Sequence, residues 1–220
     1  MKFNHPRSVA AGGAAFLASA ALAVALVPGS AVATGGDDSH HHRGDVKHAR
    51  LNALNNSGVS GHAKVKSAHR TLHIDVKARG LAKNLPHAQH IHYGEQARNE
   101  CPTVGKDDAN GDFRLTTAEG LPAYGDIAVS LTKRGPTDAG SGLDVDRFPT
   151  APRGKIDYDR TTKTSRDIAK AIRNGEGVVV IHGVDYNGNG TYDFDSAGAS
   201  ELNPDLPAEA TDPAVCGVLR

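Results

Sequence analysis

The sequence predicts an all-β domain, an antiparallel Greek-key β-sandwich or barrel with long loops and one short helix. Short runs of alternating apolar and polar residues recur along the 220-residue chain, and clusters rich in Gly, Pro and Asn separate them. A helical pattern occurs only once in the expected domain. Many short strands with little helix are typical of sandwiches and barrels. No internal repeat or interdomain linker is visible, which indicates a single domain.

Residues 1–33 are typical of a secretory signal peptide. Lys2 and Arg7 give a basic start, an alanine-rich apolar run extends from about Ala14 to Val27, and small residues end at Ala33. The apolar run is too short to predict a membrane span. We therefore expect a secreted, extracellular chain that is cleaved near Ala33.

Residues 34–47 are predicted to form a disordered arm, because they are polar and lack apolar periodicity. His40, His41 and His42 lie in this arm, either as a solvated tail or as a weak metal scavenger. The ordered domain is expected to comprise residues 48–220.

The strands are predicted from alternation and from the turn clusters that bound each run. The pattern at 72–77 places Leu72, Ile74 and Val76 in the core. A short helix is expected to begin after Ser165 and to end near Gly175. The strands are expected at 50–54, 62–66, 72–77, 85–94, 126–131, 155–159, 177–183 and 214–219. The run at 177–183 is the most hydrophobic of these and is expected to be central in the sheet.

The composition argues against several classes of partner. The chain has 25 basic and 25 acidic side chains, a balance that does not favour nucleic acid or an anionic membrane surface. Tryptophan is absent, which weakens the case for an aromatic sugar-binding platform. No G-x-S-x-G elbow, P-loop or dinucleotide fingerprint occurs, so nucleophilic and nucleotide chemistry find no support.

The chain contains two cysteines, Cys101 and Cys216. An even number in an exported chain favours one disulfide, and two free buried thiols are the alternative. Such a bridge would close a long loop and would leave no cysteine as a nucleophile.

Three histidines fall within six positions of the run at 85–94. His90 and His92 point to the same side of an extended strand, because side chains alternate. An H-x-H pair on one face can bind a single metal ion, and neutral imidazole suits copper, zinc, iron or nickel. The alternative is a pair of solvent-facing histidines on an edge strand.

The segment from residue 108 to residue 119 has the spacing of a calcium-binding loop. Position 6, where glycine is expected, is Phe113, and no helical pattern flanks the loop. A polar surface loop is the alternative. The candidate ligands are Asp108, Asn110, Asp112, Arg114 (through its backbone carbonyl), Thr116 and Glu119.

A second acidic loop follows His182 and matches the first six positions of a calcium loop better. Position 12 is Ser196, so the usual last carboxylate is missing and weaker binding is expected. The candidate ligands are Asp185, Asn187, Asn189 and Asp193.

Four segments, taken together and in order, resemble the copper/zinc superoxide dismutase superfamily and its copper-only and chordin-type (CHRD) relatives, and the first of them is the hairpin from Leu54 to Leu81, which looks like the opening strands and G-L signal of the family. The run L-P-H-A-Q-H-I-H at 85–92 is similar to the family segment L-H-G-F-H-[VI]-H, and V-V-V-I-H at 178–182 resembles its V-V-x-H strand. C-G-V-L at 216–219 is similar to the family C-terminus A-C-G-V-[IL]. The resemblance covers roughly residues 48–219.

The resemblance implies a copper site made of His90, His92 and His182, a structural role for His87, and a bridge between Cys101 and Cys216. It also marks departures from the family pattern. No histidine lies between His92 and His182, so a zinc site of the family type is excluded. The active-site arginine of the family is replaced by Pro213, which puts fast dismutation of superoxide in doubt.

Three functions follow as expectations. The first is a secreted metal-binding domain of the CHRD and superoxide dismutase type that binds copper, with weak or no dismutase activity. The second is an active copper-only superoxide dismutase. The third is a non-catalytic extracellular binding module stabilised by calcium and a disulfide.

Overall fold

The computed structural model describes residues 44–220, and its first strand begins at Asp45. The expected start of the domain at His48 was therefore too late, since residues 45–47 pair in the sheet with residues 65–67. The predicted signal peptide and the arm up to residue 43, with His40–His42, lie outside the described residues.

The fold is all-β, as predicted, with one eight-stranded sheet in the order β5-β4-β7-β8-β1-β2-β3-β6 and every pair antiparallel. The connections β3–β4, β5–β6 and β6–β7 join strands that are not neighbours, as in Greek-key arrangements. The strands are β1 Asp45–Ala53, β2 Ser60–Ala68, β3 Thr71–Arg79, β4 Gln89–Tyr93, β5 Asp126–Ser130, β6 Lys155–Lys163, β7 Val178–His182 and β8 Pro213–Val218.

The described residues form more helices than the one that the sequence pattern predicts. The predicted helix is α3, Arg166–Asn174, which the Ser165 side chain caps and which ends at the left-handed Gly175. The others are α1 Val104–Asp107, α2 Thr117–Tyr124 and α4 Ala208–Thr211. They escaped prediction because α1 and α4 are single turns, while α2 contains Gly120 and Pro122, which are poor helix formers.

The core lies between two halves of this curled sheet. Strand β1 joins the halves, since most of it pairs with β2 whereas Asn52 and Ala53 pair with β8. The predicted alternation of β3 is confirmed, with Leu72, Ile74 and Val76 fully buried. They pack in one apolar cluster with residues of the other half, such as Ile91, Val179, Ile181 and Val215.

Strands β4, β7 and β8 are buried on both faces. Their inner face meets the core, whereas Val178, Val180 and Cys216 on the outer face pack with Tyr124 at the end of α2. The predicted disulfide between Cys101 and Cys216 is present, and it ties the segment that carries α1 and α2 to β8. None of the described helices is long and apolar enough to cross a membrane.

Candidate metal centre

The outer face of the sheet brings three histidines together. On β4, His90 and His92 alternate with Ile91, whose side chain enters the core, so both imidazoles lie on the outer face as predicted. Val180 of β7 pairs with His90, and His182 follows two residues later on the same face. His90 and His182 are therefore diagonal neighbours across two adjacent strands.

The alternative of solvent-facing histidines on an edge strand is wrong. Strand β4 lies between β5 and β7, and segments outside the sheet cover its histidines. His90, His92 and His182 are 3%, 1% and 3% exposed, respectively. Each offers one ring nitrogen, and these three atoms all lie within 4.8 Å of one another.

Each imidazole is oriented by a hydrogen bond to a backbone carbonyl. Nε2 of His90 lies 3.1 Å from the oxygen of Gly142, Nδ1 of His92 lies 2.8 Å from that of Gly125, and Nδ1 of His182 lies 2.6 Å from that of Thr211. A carbonyl oxygen can only accept, so each of these nitrogens carries the proton. This assigns the lone pairs to Nδ1 of His90, Nε2 of His92 and Nε2 of His182.

Those same three nitrogens are buried and have no hydrogen-bond partner among residues 44–220, which the structure describes. A buried acceptor without a partner costs about 1–3 kcal/mol, so three at one place need an explanation. A metal ion at their meeting point would use all three lone pairs at once. The cluster of His90, His92 and His182 could therefore hold a metal ion.

Burial keeps these imidazoles neutral, which is the state that binds metals. Desolvation lowers the pKa of His92 from 6.5 to about 3 and that of His182 from 6.5 to about 4. The pKa of His90 lies well below 6.5, first because of burial and then because of the neighbouring His182 and His92.

Further contacts hold the rings in place. The ring of Phe148 packs edge-on against His90 with centroids 5.3 Å apart, and that of Tyr124 lies 4.4 Å from the ring of His92. The hydroxyl of Thr117, at the start of α2, donates to the Thr211 carbonyl at 2.6 Å. That carbonyl thus receives hydrogen bonds from both Thr117 and His182.

His87, predicted to be structural, lies outside the three-histidine cluster. It precedes β4 and is fully buried. Its Nδ1 lies 2.8 Å from the carbonyl oxygen of His182, and its Nε2 lies 3.1 Å from that of Ala82. The contact to His182 links the loop before β4 with the end of β7, where a ligand-bearing strand finishes.

A cavity of about 550 Å³ opens onto the three histidines. Its walls are mostly apolar and come from α2, β5 and the loops around residues 143 and 202–206. Pro213, at the position where the family resemblance implied an arginine, pairs with His182 in the sheet and does not line this cavity.

The first acidic loop is flanked by helices, contrary to expectation, because α1 ends at Asp107 and α2 begins after Thr116. Asp108 accepts from the backbone N–H groups of positions 4 and 6, Gly111 and Phe113. Phe113 adopts a left-handed φ of 64°, the conformation that usually calls for glycine at this position.

The remaining predicted ligands of this loop close it by local hydrogen bonds. Asn110 accepts from the backbone N–H of Asp112, and Asp112 accepts from that of Arg114. Glu119 accepts from the N–H groups of positions 2 and 9, and with Thr116 it forms the capping box of α2.

The second acidic loop repeats these hydrogen bonds. Asp185 accepts from positions 4 and 6, Gly188 and Gly190, while Asn187 accepts from Asn189. The amide of Asn189 donates to the carboxylate of Asp193 at position 9.

Glu209 of α4 takes the place in the second loop that Glu119 occupies in the first. Its carboxylate accepts from the backbone N–H of Tyr186 at position 2 and from that of Asp193 at position 9, both at 2.9 Å. The sequence pattern missed it because Glu209 is distant in the chain from the loop that it closes. No local pattern in the sequence marks Glu209 as a partner of this loop, and its burial at the turn before β8 is visible only in the structure.

Comparison with models of known protein families finds no match, and no curated protein matches the chain.

Proposed function

We propose that this chain is an extracellular copper-binding domain in which His90, His92 and His182 hold the metal. The observation that carries the proposal is a cluster of three buried histidines, each with one ring nitrogen that lacks a hydrogen-bond partner in the described part of the chain and another that donates to a carbonyl. Metal-binding histidines are commonly oriented by such hydrogen bonds. A merely structural histidine cluster gains nothing from leaving all three acceptors unused.

Copper is favoured over other metals by the chemistry of the donor set. The cluster contains imidazoles alone, without the thiolates or carboxylates of many other sites. For a given set of ligands the affinity of divalent ions peaks at Cu²⁺ in the Irving–Williams order. Zinc is the main competitor, since three imidazoles also form known catalytic zinc sites.

The order of features along the chain supports a relationship with the CHRD and superoxide dismutase superfamily. Two ligands on β4, a third at the end of β7 and a bridge from Cys101 to the last strand follow the order that the resemblance implied. The disulfide is compatible with an oxidising, extracellular compartment.

Dismutase activity is proposed to be weak or absent. Among the residues that the structure describes, no lysine or arginine lines the cavity above the three histidines. Superoxide is an anion, and enzymes gain both rate and selectivity for such substrates from positive charge near the metal. An active copper-only dismutase is therefore the less favoured alternative.

A non-catalytic module stabilised by calcium is the other alternative. What favours it is the repetition of one hydrogen-bond pattern in two acidic loops, including a carboxylate that bridges positions 2 and 9 in each. Calcium and copper sites are compatible with one another, because the loops and the histidine cluster share no side chain.

Metal analysis of the purified chain tests the copper proposal. We expect one tightly bound copper per chain, competition from zinc only at large excess, and loss of the site in the double variant His90→Ala/His92→Ala. His62→Ala is the matched control, since His62 is an exposed strand histidine outside the cluster. All proteins should carry alanines at His40, His41 and His42, so that the arm cannot scavenge metal. Retention of stoichiometric copper by the double variant would overturn the assignment.

A superoxide assay on the copper-loaded protein separates the functions. A rate no higher than that of free copper supports a binding domain. A rate far above it, lost in His90→Ala/His92→Ala, would support the dismutase instead.

A further inference from the structure

The cavity above the three histidines has the composition of a pocket for an organic molecule. Its volume of about 550 Å³ lies within the usual range for small-molecule sites. Its apolar wall, named here the leucine rim, consists of Leu121, Ile127, Leu143, Val145, Leu202 and Leu206. The rim comes from four separate segments, so it is formed only in the folded chain.

The leucine rim is unusually exposed for apolar side chains. Leu121, Leu143 and Leu202 are 43%, 42% and 44% exposed, and they account for three of the six large hydrophobic side chains that are exposed in the described residues. Leaving apolar surface in water is unfavourable, so exposed leucines need a reason. Exposed apolar groups gathered around one cavity are typical of a binding site rather than of scattered surface residues.

Charge in the cavity argues against an anionic ligand. Among the described residues that line the cavity, the only acidic or basic side chain besides the histidines is that of Asp126, an exposed carboxylate at the start of β5. A carboxylate in the lining repels anions, and the described lining offers no lysine or arginine to offset it. The other polar side chains of the described lining are the three imidazoles and the hydroxyls of Thr117 and Thr211.

We propose that this pocket binds an uncharged organic molecule with a mainly apolar body, whose single oxygen or nitrogen donor approaches the metal held by His90, His92 and His182. The leucine rim covers the apolar body and the metal receives the donor atom. This inference rests on the proposed function and specifies its ligand class. It also accounts for the weak dismutase activity proposed above, since the pocket is suited to an apolar ligand and not to a small anion.

The test compares 4-methylphenol with azide on copper-loaded protein, followed by the visible absorption of copper. Azide is a small anion that can bind copper but has no apolar body for the leucine rim to cover, so its affinity reports on the metal alone. We expect saturable binding of 4-methylphenol, weakened at least about tenfold in Leu121→Gln/Leu143→Gln, with the affinity for azide changed by less than about twofold. Val46→Thr is the control, because Val46 is 41% exposed but lies outside the cavity.

Three results would overturn the inference: no saturable binding of 4-methylphenol to copper-loaded protein, equal weakening of both ligands in the double variant, or no weakening of either. A dimer in sedimentation that the double variant dissolves would also overturn it, because the rim would then be an interface between copies. Leu202→Gln repeats the test from another segment if the double variant does not fold. Failure to bind copper at all is a different outcome, which refutes the proposed function and is read from metal content before any ligand is added.

Discussion

Nδ1 of His182 lies 2.6 Å from the carbonyl oxygen of Thr211, and this contact leaves Nε2 of the same ring unprotonated and without a hydrogen-bond partner among the described residues, in the cluster that it forms with His90 and His92. The carbonyl oxygen of Gly142 accepts from Nε2 of His90, and that of Gly125 accepts from Nδ1 of His92. Backbone carbonyls, held by the loops that cover β4 and β7, thus determine which nitrogen of each histidine is free to bind a metal.

Thr117→Val tests how firmly this orientation is held. The variant removes a hydroxyl that donates to the Thr211 carbonyl, but the carbonyl keeps its hydrogen bond from His182. We expect the free energy of unfolding to fall by about 1 kcal/mol, and copper affinity to fall by less than about tenfold. Chemical denaturation and a competition titration with a chelator measure the two effects. Complete loss of copper would contradict the view that the backbone carbonyl orients His182.

Removal of the disulfide should affect both stability and the metal site. The bridge spans 115 residues, and the chain-entropy model assigns about 4–5 kcal/mol to a loop of this size. Cys101→Ser/Cys216→Ser also frees the segment that carries the Gly125 carbonyl, the partner of His92. We expect a large loss in the free energy of unfolding together with weaker copper binding.

The disulfide experiment has an internal control. Wild-type protein that has been reduced and then reoxidised should recover both its free energy of unfolding and its copper affinity. Copper affinity that is unchanged in the folded double variant would show that the covering segment holds its position without the bridge.

The metal-free protein should lose stability as the pH falls below about 6.5. In the unfolded chain the imidazoles of His90, His92 and His182 bind protons near pH 6.5, whereas burial lowers the folded pKa of His92 to about 3 and that of His182 to about 4. The unfolded state therefore binds more protons between these values, and the free energy of unfolding decreases with falling pH. Thermal unfolding from pH 8 to pH 4 measures this decrease.

Asp212 opposes this trend and provides the control. Burial raises its pKa from 3.8 to about 6, although Tyr186 and Arg114 lower it, so here the folded state binds the proton first as the pH falls. As the pH falls from about 6 to about 4, this carboxyl raises the free energy of unfolding. The three imidazoles lower it by more over the same range. Asp212→Asn should therefore steepen the acid destabilisation. A metal-free protein whose midpoint temperature is constant or rises over this range would contradict the burial of neutral imidazoles.

The sequence predicted the positions whose pattern is local. Alternation placed Leu72, Ile74 and Val76 in the core and His90 and His92 on one face, because these outcomes depend only on the period of a strand. The family resemblance pointed to His182 as the third member of the cluster, and the structure brings all three together. The disulfide followed from the presence of only two cysteines.

The sequence could not predict the features that depend on backbone groups or on distant segments. The carbonyls of Gly125, Gly142 and Thr211 orient the imidazoles, yet any residue supplies a carbonyl and no pattern marks one. Helix α2 was missed because Gly120 and Pro122 are poor helix formers, so the segment after the capping box of Thr116 and Glu119 does not look helical. Glu209 was missed because it reaches the second acidic loop from another part of the chain.

Glu209→Gln tests the prediction that the second acidic loop binds calcium. The variant keeps the size of the side chain but removes the charge that faces the backbone of Tyr186 and Asp193. If calcium binds there, wild-type protein should gain thermal stability on addition of calcium, and the variant should lose the part that comes from this loop. Glu119→Gln makes the same change in the first loop and should remove the other part. Absence of any heat or thermal shift with calcium in the wild type would exclude both loops as calcium sites.

X-ray absorption of the copper-loaded full chain, with alanines at His40, His41 and His42, tests the central claim most directly. We predict scattering from three imidazoles around a single copper ion, reduced to two in His182→Ala and unchanged in His62→Ala. A copper ion with no imidazole neighbours, or one whose imidazole count is the same in His182→Ala, would contradict the three-histidine metal centre.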